Sequence, residues 1–83
     1  LGATVHAQGP LDEGTRSLVK LALAIGVGAE GAVHAHTRKC LAAGHSAEAG
    51  RQGGLLAIPT VGFPAAMAAL SWVNDILEHK DAP

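Results

Sequence analysis

The residues with the clearest capacity for chemistry are His36 and Cys40, which lie four positions apart in the segment 29–43. If this segment is helical, residues four apart are one turn apart on the same face, so the imidazole and the thiol can touch. An imidazole beside a thiol could lower the pKa of the thiol and make it a nucleophile. The pair could instead supply half of a metal site that another chain completes, since structural and catalytic zinc sites use three or four protein ligands.

Each of these residues also has a structural interpretation. A lone cysteine is among the most frequently buried residue types, so packing is the more common role for Cys40. A buried His36 would need a polar partner, and such a group is a candidate general acid or base. His34 lies about 160° around the helix from His36 and cannot share a ligand with it. We therefore expect His34 and His45 on a solvated or interface side.

Three of the four helices predicted around these residues precede residue 60. The first begins after an N-cap at Asp12 and contains an apolar run, residues 18–27, that is hydrophobic on nearly every side and is therefore predicted to be buried. The second covers about residues 29–43 and ends at Gly44, in the usual place of a left-handed residue. The third begins after Ser46, and its glycines predict a helix that either depends on tertiary contacts or frays.

The fourth predicted helix has Pro64 at its N1 position. Its apolar stripe is predicted to consist of Met67, Leu70, Asn74 and Leu77, flanked by Ala65, Ala69, Trp72 and Ile76. Residues 1–10 have no apolar period and are predicted to form an N-terminal arm or linker, so the helical domain is assigned to residues 11–80. His6 and His79, near the two ends, are expected to be exposed.

Composition excludes several classes of protein. The formal net charge is −1 and no basic cluster is larger than Arg38-Lys39, so nucleic-acid binding is not predicted. Residues 55–73 lack formal charges, but Pro59, Gly62 and Pro64 interrupt them, which favours two short helices over a membrane span. A single cysteine and the lack of a basic segment before an apolar stretch at the start favour a cytoplasmic protein.

Alanine and glycine make up 28 of the 83 residues, whereas Phe and Trp occur once each and Tyr does not occur. A chain this short with so few large side chains can build only a thin core, so we expect it to associate with further copies of itself. Short alternating β-branched segments are absent. The predicted class is therefore all-α, a small domain of four main helices assembled into a homo-oligomer.

The sequence resembles the carboxymuconolactone decarboxylase-like family, which includes the alkylhydroperoxidase D proteins, in four segments. These are LDEGTRSLVKLA at 11–22, HT at 36–37, AAGHSAE at 42–48 and GFPAA at 62–66. Their order and spacing extend the resemblance over about residues 11–77. The resemblance implies an alkylhydroperoxidase D-like, all-helical fold and assembly into trimers, or into hexamers built as trimers of dimers.

The resemblance also separates two branches of chemistry. In the peroxiredoxin-related thiol-peroxidase branch, a Cys-x-x-Cys-x-x-x-His motif runs along the second helix, and its histidine matches His36. Its two cysteines match Ala29 and Ala32, and the proton-relay glutamate of that branch matches Ser17. Without both thiols the chain cannot cycle a disulfide, so alkylhydroperoxidase activity of the two-cysteine type is not expected.

The decarboxylase branch also lacks the cysteine pair, and resemblance to it implies that His36 is a general acid or base on a small lactone acid, without a cofactor. The sequence predicts no arginine pair for a dicarboxylate, since Arg16, Arg38 and Arg51 lie on three different helices. The candidate catalytic residues are thus His36 and Cys40, with no metal and no cofactor. Two alternatives remain: a non-catalytic oligomeric module of the same fold, and a one-cysteine thiol peroxidase or reductase that uses Cys40.

Overall fold

The computed structural model of the chain describes residues 2–78, except for the side chain of His6. Within that range it contains six helices and no strand: α1 (Gly2–Ala7), α2 (Glu13–Val27), α3 (Glu30–Ala42), α4 (Ala47–Leu56), α5 (Ile58–Val61) and α6 (Phe63–Leu77). The four helices of ten or more residues confirm the prediction of an all-α domain with four main helices. The short helices α1 and α5 were not among those predicted. The expected exposure of His6 and His79 falls outside what the structure describes.

Local capping chemistry sets the ends of the long helices. Asp12 is the N-cap of α2, and its Oδ1 accepts a 2.7 Å hydrogen bond from the backbone N–H of Thr15. Gly28 ends that helix in the left-handed conformation, with φ 71°. At the end of α3, Gly44 has φ 99° and the backbone N–H of His45 donates to the carbonyl of Cys40 at 3.1 Å. This Schellman arrangement confirms the predicted helix end and fixes where His45 lies.

The core is thin, as predicted. The buried apolar cluster consists of Leu21, Ala24, Ile25, Val33, Cys40, Ala57, Ala66, Ala69 and Val73, and four of these nine residues are alanines. The helix α3 lies between α2 and α6, and α4 packs on α6 and α2. Thr37 is buried in α3, and its hydroxyl is still hydrogen-bonded, because Oγ1 donates to the Val33 carbonyl at 2.7 Å.

Two buried glycines allow α4 to pack closely against α6. Ser46 caps it, accepting a hydrogen bond from the backbone N–H of Ala49 at 3.1 Å. Gly50 and Gly54 are buried, and a Cβ added at Gly54 would lie 3.1 Å from Cδ1 and 3.4 Å from Cα of Leu70. The backbone of α4 therefore packs closely against Leu70 of α6 at Gly54, and this tertiary contact stabilises a glycine-rich helix.

The segment from α5 to α6 has the break that the sequence predicts, but the buried face of α6 differs from the predicted stripe. Gly62, with φ 96°, separates the two helices. The residues of α6 that are buried are Ala66, Ala69, Val73 and Ile76. The predicted stripe of Met67, Leu70, Asn74 and Leu77 is only half-buried. In an alanine-rich helix that is apolar on most sides, a period alone does not select the face, and contacts with α3 and α4 decide it.

The helix α2 is not buried on all sides within a single chain. Leu21, Ala24 and Ile25 face the core, whereas Val19, Leu23 and Val27 form a stripe on another face, with residue exposures of 44%, 64% and 77%. We call these three residues the α2 apolar stripe. A large exposed apolar surface of this kind is typical of an interaction site. No helix in residues 2–78 is long and apolar enough to cross a membrane.

Candidate functional site

His36 lies on the face of α3 that is turned towards α1 and α2, at the edge of a recess of about 390 Å³. The recess is lined by Gly2, Ala3, Ser17, Lys20, His36 and Lys39, and we call it the charged recess. Ser17 is buried at the start of α2, and Lys20 follows it one turn later. His36 and Lys39 have the same spacing on α3, so each helix contributes two polar side chains to the recess.

A second recess, of about 270 Å³, shares Lys20 and His36 with the first. Its other lining residues are Leu23, Ala24, Val27 and Ala32, and we call it the apolar recess. His36 therefore lies at the junction between a polar and an apolar surface. A small molecule with a charged end and an apolar body has complementary surfaces on both sides of this imidazole.

The electrostatics of the charged recess come from two lysines. Two basic side chains, Lys20 and Lys39, line this recess and no carboxylate does, although Glu13 lines an adjoining recess that shares Ser17 and Lys39. An anion is therefore attracted to the side of the recess where His36 lies. The sequence predicts no arginine pair, and the two lysines were not among the predicted site residues, although the i, i+3 pairs Ser17–Lys20 and His36–Lys39 indicate shared helix faces.

Cys40 does not join His36 in this site. Its residue exposure is 2%, and it packs among the buried apolar residues of the core. Burial removes water from the thiol and raises its pKa, which favours the neutral, unreactive form. His36 thus lines the recesses whereas Cys40 belongs to the buried core, so the thiol is shielded from a molecule bound in either recess.

A model of the carboxymuconolactone decarboxylase family matches residues 1–75. The chain belongs to this family. No curated protein and no solved structure matched the chain when it was compared with them. The family match confirms the resemblance that the four sequence segments indicate. Because the match includes residues 1–10, the division between an arm at 1–10 and a domain at 11–80 remains a prediction.

The recesses are lined by three of the four positions at which the resemblance places the functional groups of the alkylhydroperoxidase branch of the carboxymuconolactone decarboxylase family, the exception being Ala29. Ser17, at the position of the relay glutamate, lines the charged recess, and Ala32, at the position of one cysteine, lines the apolar recess. His36 lines both. Ser17 and Ala32 thus present a hydroxyl and a methyl group to the recesses where the resemblance places a carboxylate and a thiol in the redox branch.

The structure corrects the expectation for the other two histidines of residues 2–78 whose side chains it describes. His34 is half-buried against α6, and its Nε2 lies 3.1 Å from Oδ2 of Asp75. His45 is also half-buried, and its Nε2 donates to the carbonyl of Gly14 at 2.8 Å. Both histidines thus form contacts between distant parts of the chain, 41 and 31 residues apart, which no local pattern could predict.

Proposed function

We propose that the chain is a carboxymuconolactone decarboxylase family enzyme that carries out acid/base chemistry on a small carboxylate-bearing molecule, with His36 as the catalytic residue. The observation that carries this proposal is the position of His36 at the junction of the charged and apolar recesses. Neutral imidazole and imidazolium are both accessible near pH 7, so histidine can accept and return a proton without a cofactor.

We assign substrate binding to the two lysines. Their ammonium groups would hold the carboxylate of the substrate in the charged recess, while Leu23 and Val27 contact its apolar body. Nδ1 of His36 is inaccessible to solvent, so we assign proton transfer to Nε2. By family resemblance the substrate class is a small lactone acid, and the proton moves between a carbon atom of that acid and Nε2 of His36.

The test is a screen of small lactone acids and related carboxylic acids, followed by kinetics of variants on any substrate found. We expect His36→Gln to lower kcat by about 10² to 10⁴, the usual contribution of a general acid or base. Lys20→Gln and Lys39→Gln should mainly raise KM, because they remove ground-state attraction for the carboxylate. Arg38→Gln, which removes a charge from the same helix outside the charged recess, is the control. An unchanged kcat in His36→Gln overturns the catalytic role.

Homo-oligomer formation is part of this proposal, and the α2 apolar stripe supports it. Leu23 and Val27 line the apolar recess and are also largely exposed in the single chain, so a second copy that covers the stripe would enclose the site. We expect a trimer or a hexamer by light scattering at micromolar concentration. Leu23→Glu should shift the chain towards the monomer, whereas Ser71→Glu, on an exposed position of α6, should not. A monomeric wild-type chain contradicts the proposal.

A second candidate function is a non-catalytic oligomeric module of the same fold. It is favoured by Ala29 and Ala32 at the cysteine positions and by Ser17 at the glutamate position, since all three replacements remove reactive groups. The two functions differ in one measurable property. An enzyme should bind carboxylic acids with an affinity that falls in Lys20→Gln and Lys39→Gln, whereas a module should show oligomer formation and no such binding.

The third candidate, a one-cysteine thiol peroxidase or reductase, has the least support. Peroxide must reach a thiolate, and Cys40 has a residue exposure of 2% and a pKa raised by burial. We therefore propose a packing role for Cys40. Its replacement by serine should leave turnover of a carboxylic acid substrate unchanged and should lower stability, because a hydroxyl replaces an apolar thiol in the core.

A further inference from the structure

Three potential metal ligands meet on the side of α3 that faces α6. Glu30 and His34 are one turn apart on α3, and Asp75 comes from α6. One ligand atom from each of these residues lies within 4.8 Å of the other two. Nε2 of His34 lies 3.1 Å from Oδ2 of Asp75. We propose that these three side chains bind a divalent transition-metal ion, with Zn²⁺ as the best match.

The type of donor supports this proposal. Zn²⁺ binds imidazole nitrogen and carboxylate oxygen at about 2.0 to 2.2 Å, and tetrahedral geometry then separates neighbouring ligand atoms by about 3.3 Å. The 3.1 Å separation between His34 and Asp75 is close to that value. The two carboxylates supply two negative charges to a dication, and the imidazole favours a transition metal over Ca²⁺ or Mg²⁺, which prefer oxygen ligands alone.

Burial and helix packing hold two of the ligands in advance. The side chains of His34 and Asp75 are 20% and 36% exposed, and they project from helices that are joined through the buried residues Val33 and Val73. Glu30 is exposed at the start of α3, so its carboxylate is accessible to an ion from solvent and can turn to complete the site. Three protein ligands leave the fourth tetrahedral position for water.

The competing interpretation is a hydrogen bond between α3 and α6 with no metal. In the metal-free chain, Nε2 of His34 donates a proton to Oδ2 of Asp75, which alone explains the short separation. Zn²⁺ binding requires that nitrogen to be deprotonated, so the imidazole must take the tautomer with its proton on Nδ1. The contact between His34 and Asp75 is therefore either a structural hydrogen bond only or the metal-free state of a metal site. The presence of a third ligand atom, from Glu30, within 4.8 Å favours the metal site.

This site is separate from the proposed catalytic residue. His34 and His36 are two positions apart on α3 and therefore project about 160° from one another. His36 faces the recesses beside α2, whereas His34 faces α6. Metal binding and the acid/base function can thus fail independently, and a failed screen for lactone acid turnover would leave the metal proposal untouched.

The test is a titration of the full chain, stripped with a chelator, with Zn²⁺ in competition with a chromophoric chelator. We expect one ion per chain, with affinity lowered about tenfold or more in Glu30→Gln, His34→Gln and Asp75→Asn, since even residues that only orient a metal ligand are worth that much. Two variants serve as matched controls: Glu13→Gln, an exposed acid in the first turn of α2, and His45→Gln. Both should bind Zn²⁺ as the wild type does.

Stability is checked separately, because His34→Gln and Asp75→Asn remove a contact between helices. Far-ultraviolet circular dichroism reports whether these variants fold, and Glu30→Gln keeps the test decisive because Glu30 is exposed. A chain that binds no Zn²⁺ overturns the proposal and leaves a helix–helix hydrogen bond only. Binding that is unchanged in Glu30→Gln and His34→Gln also overturns it, since the ion would then be held by other histidines.

Discussion

The close approach of α4 and α6 at Gly54 predicts opposite effects for the same substitution at two neighbouring glycines. A Cβ added at Gly54 would lie 3.1 Å from Cδ1, 3.4 Å from Cα and 3.5 Å from Cβ of Leu70. At Gly53 the nearest atom to an added Cβ is Cδ2 of Leu21, at 3.9 Å, which is ordinary van der Waals contact. Gly54→Ala must therefore displace Leu70 by a few tenths of an ångström, whereas Gly53→Ala requires no movement.

The magnitude follows from two opposing contributions to the free energy of unfolding. Replacement of glycine by alanine in a helix interior stabilises a protein by about 0.5 to 1 kcal/mol. Overpacking of a tight contact costs about 1 to 3 kcal/mol. Rotation of the Leu70 side chain can relieve the 3.1 Å contact with Cδ1, but the contacts with Cβ at 3.5 Å and Cα at 3.4 Å leave little room for any further approach of the helices. We expect Gly53→Ala to gain about 0.5 to 1 kcal/mol and Gly54→Ala to be less stable than Gly53→Ala by about 1 to 3 kcal/mol.

Urea unfolding followed by circular dichroism measures this difference, at one protein concentration for all variants because oligomer formation would couple to stability. Comparison of the two alanine variants cancels the helix-propensity contribution, so the difference isolates the contact with Leu70. In a Leu70→Ala background the cost of Gly54→Ala should fall, because Cδ1 is absent. If Gly54→Ala is as stable as Gly53→Ala, the inference of a close α4–α6 crossing is wrong.

Three further predictions concern a cap, the core thiol and a histidine contact. The backbone hydrogen bond from Thr15, followed by the side-chain hydrogen bond with Thr15, holds the pKa of Asp12 below its ordinary value of 3.8. The contribution of this cap to the free energy of unfolding should be complete above about pH 4 and should fall as the pH drops through the lowered pKa. Asp12→Asn should reduce that loss of stability at acid pH, measured by urea unfolding. Burial raises the pKa of Cys40, so a thiol reagent at pH 8 should label the native chain far more slowly than the urea-unfolded chain, and equal rates would contradict its core position. His45→Ala should cost about 1 kcal/mol in urea unfolding, because the Gly14 carbonyl loses its donor, and an unchanged midpoint would show that water replaces it.

The parts of the fold that could be predicted from the sequence are those fixed by local chemistry. The N-caps at Asp12 and Ser46 and the left-handed glycine at Gly44 were all identified correctly. Each depends on a hydrogen bond or a backbone conformation within five residues of the cap. The break at Gly62 was predictable for the same reason, because proline and glycine limit the backbone wherever they stand.

The parts that could not be predicted depend on how helices face one another. The sequence places Ser17 with Lys20 and His36 with Lys39, but only the packing of α2 on α3 brings the two pairs to one recess. The spacing of four residues predicts that Cys40 and His36 share a helix face, but it does not predict which residues of that face are buried. Cys40 is buried in the core, whereas His36 lines the recesses. The contact between His34 and Asp75 spans 41 residues and has no local signal.

Small side chains connect the thin core to the placement of the polar groups. Helix axes approach most closely where the residues between them are small, as they are at Ala24, Ala66 and Ala69 in the core. Polar side chains on the flanks of such helices then come within reach of each other, even when they are short, as Asp75 is from His34. Large core residues would stabilise this chain more, but they would separate α3 from its neighbours and move its histidines away from their partners. The alanine-rich composition that predicts a need for assembly is therefore also what lets α6 approach α3 closely enough for Asp75 to reach His34.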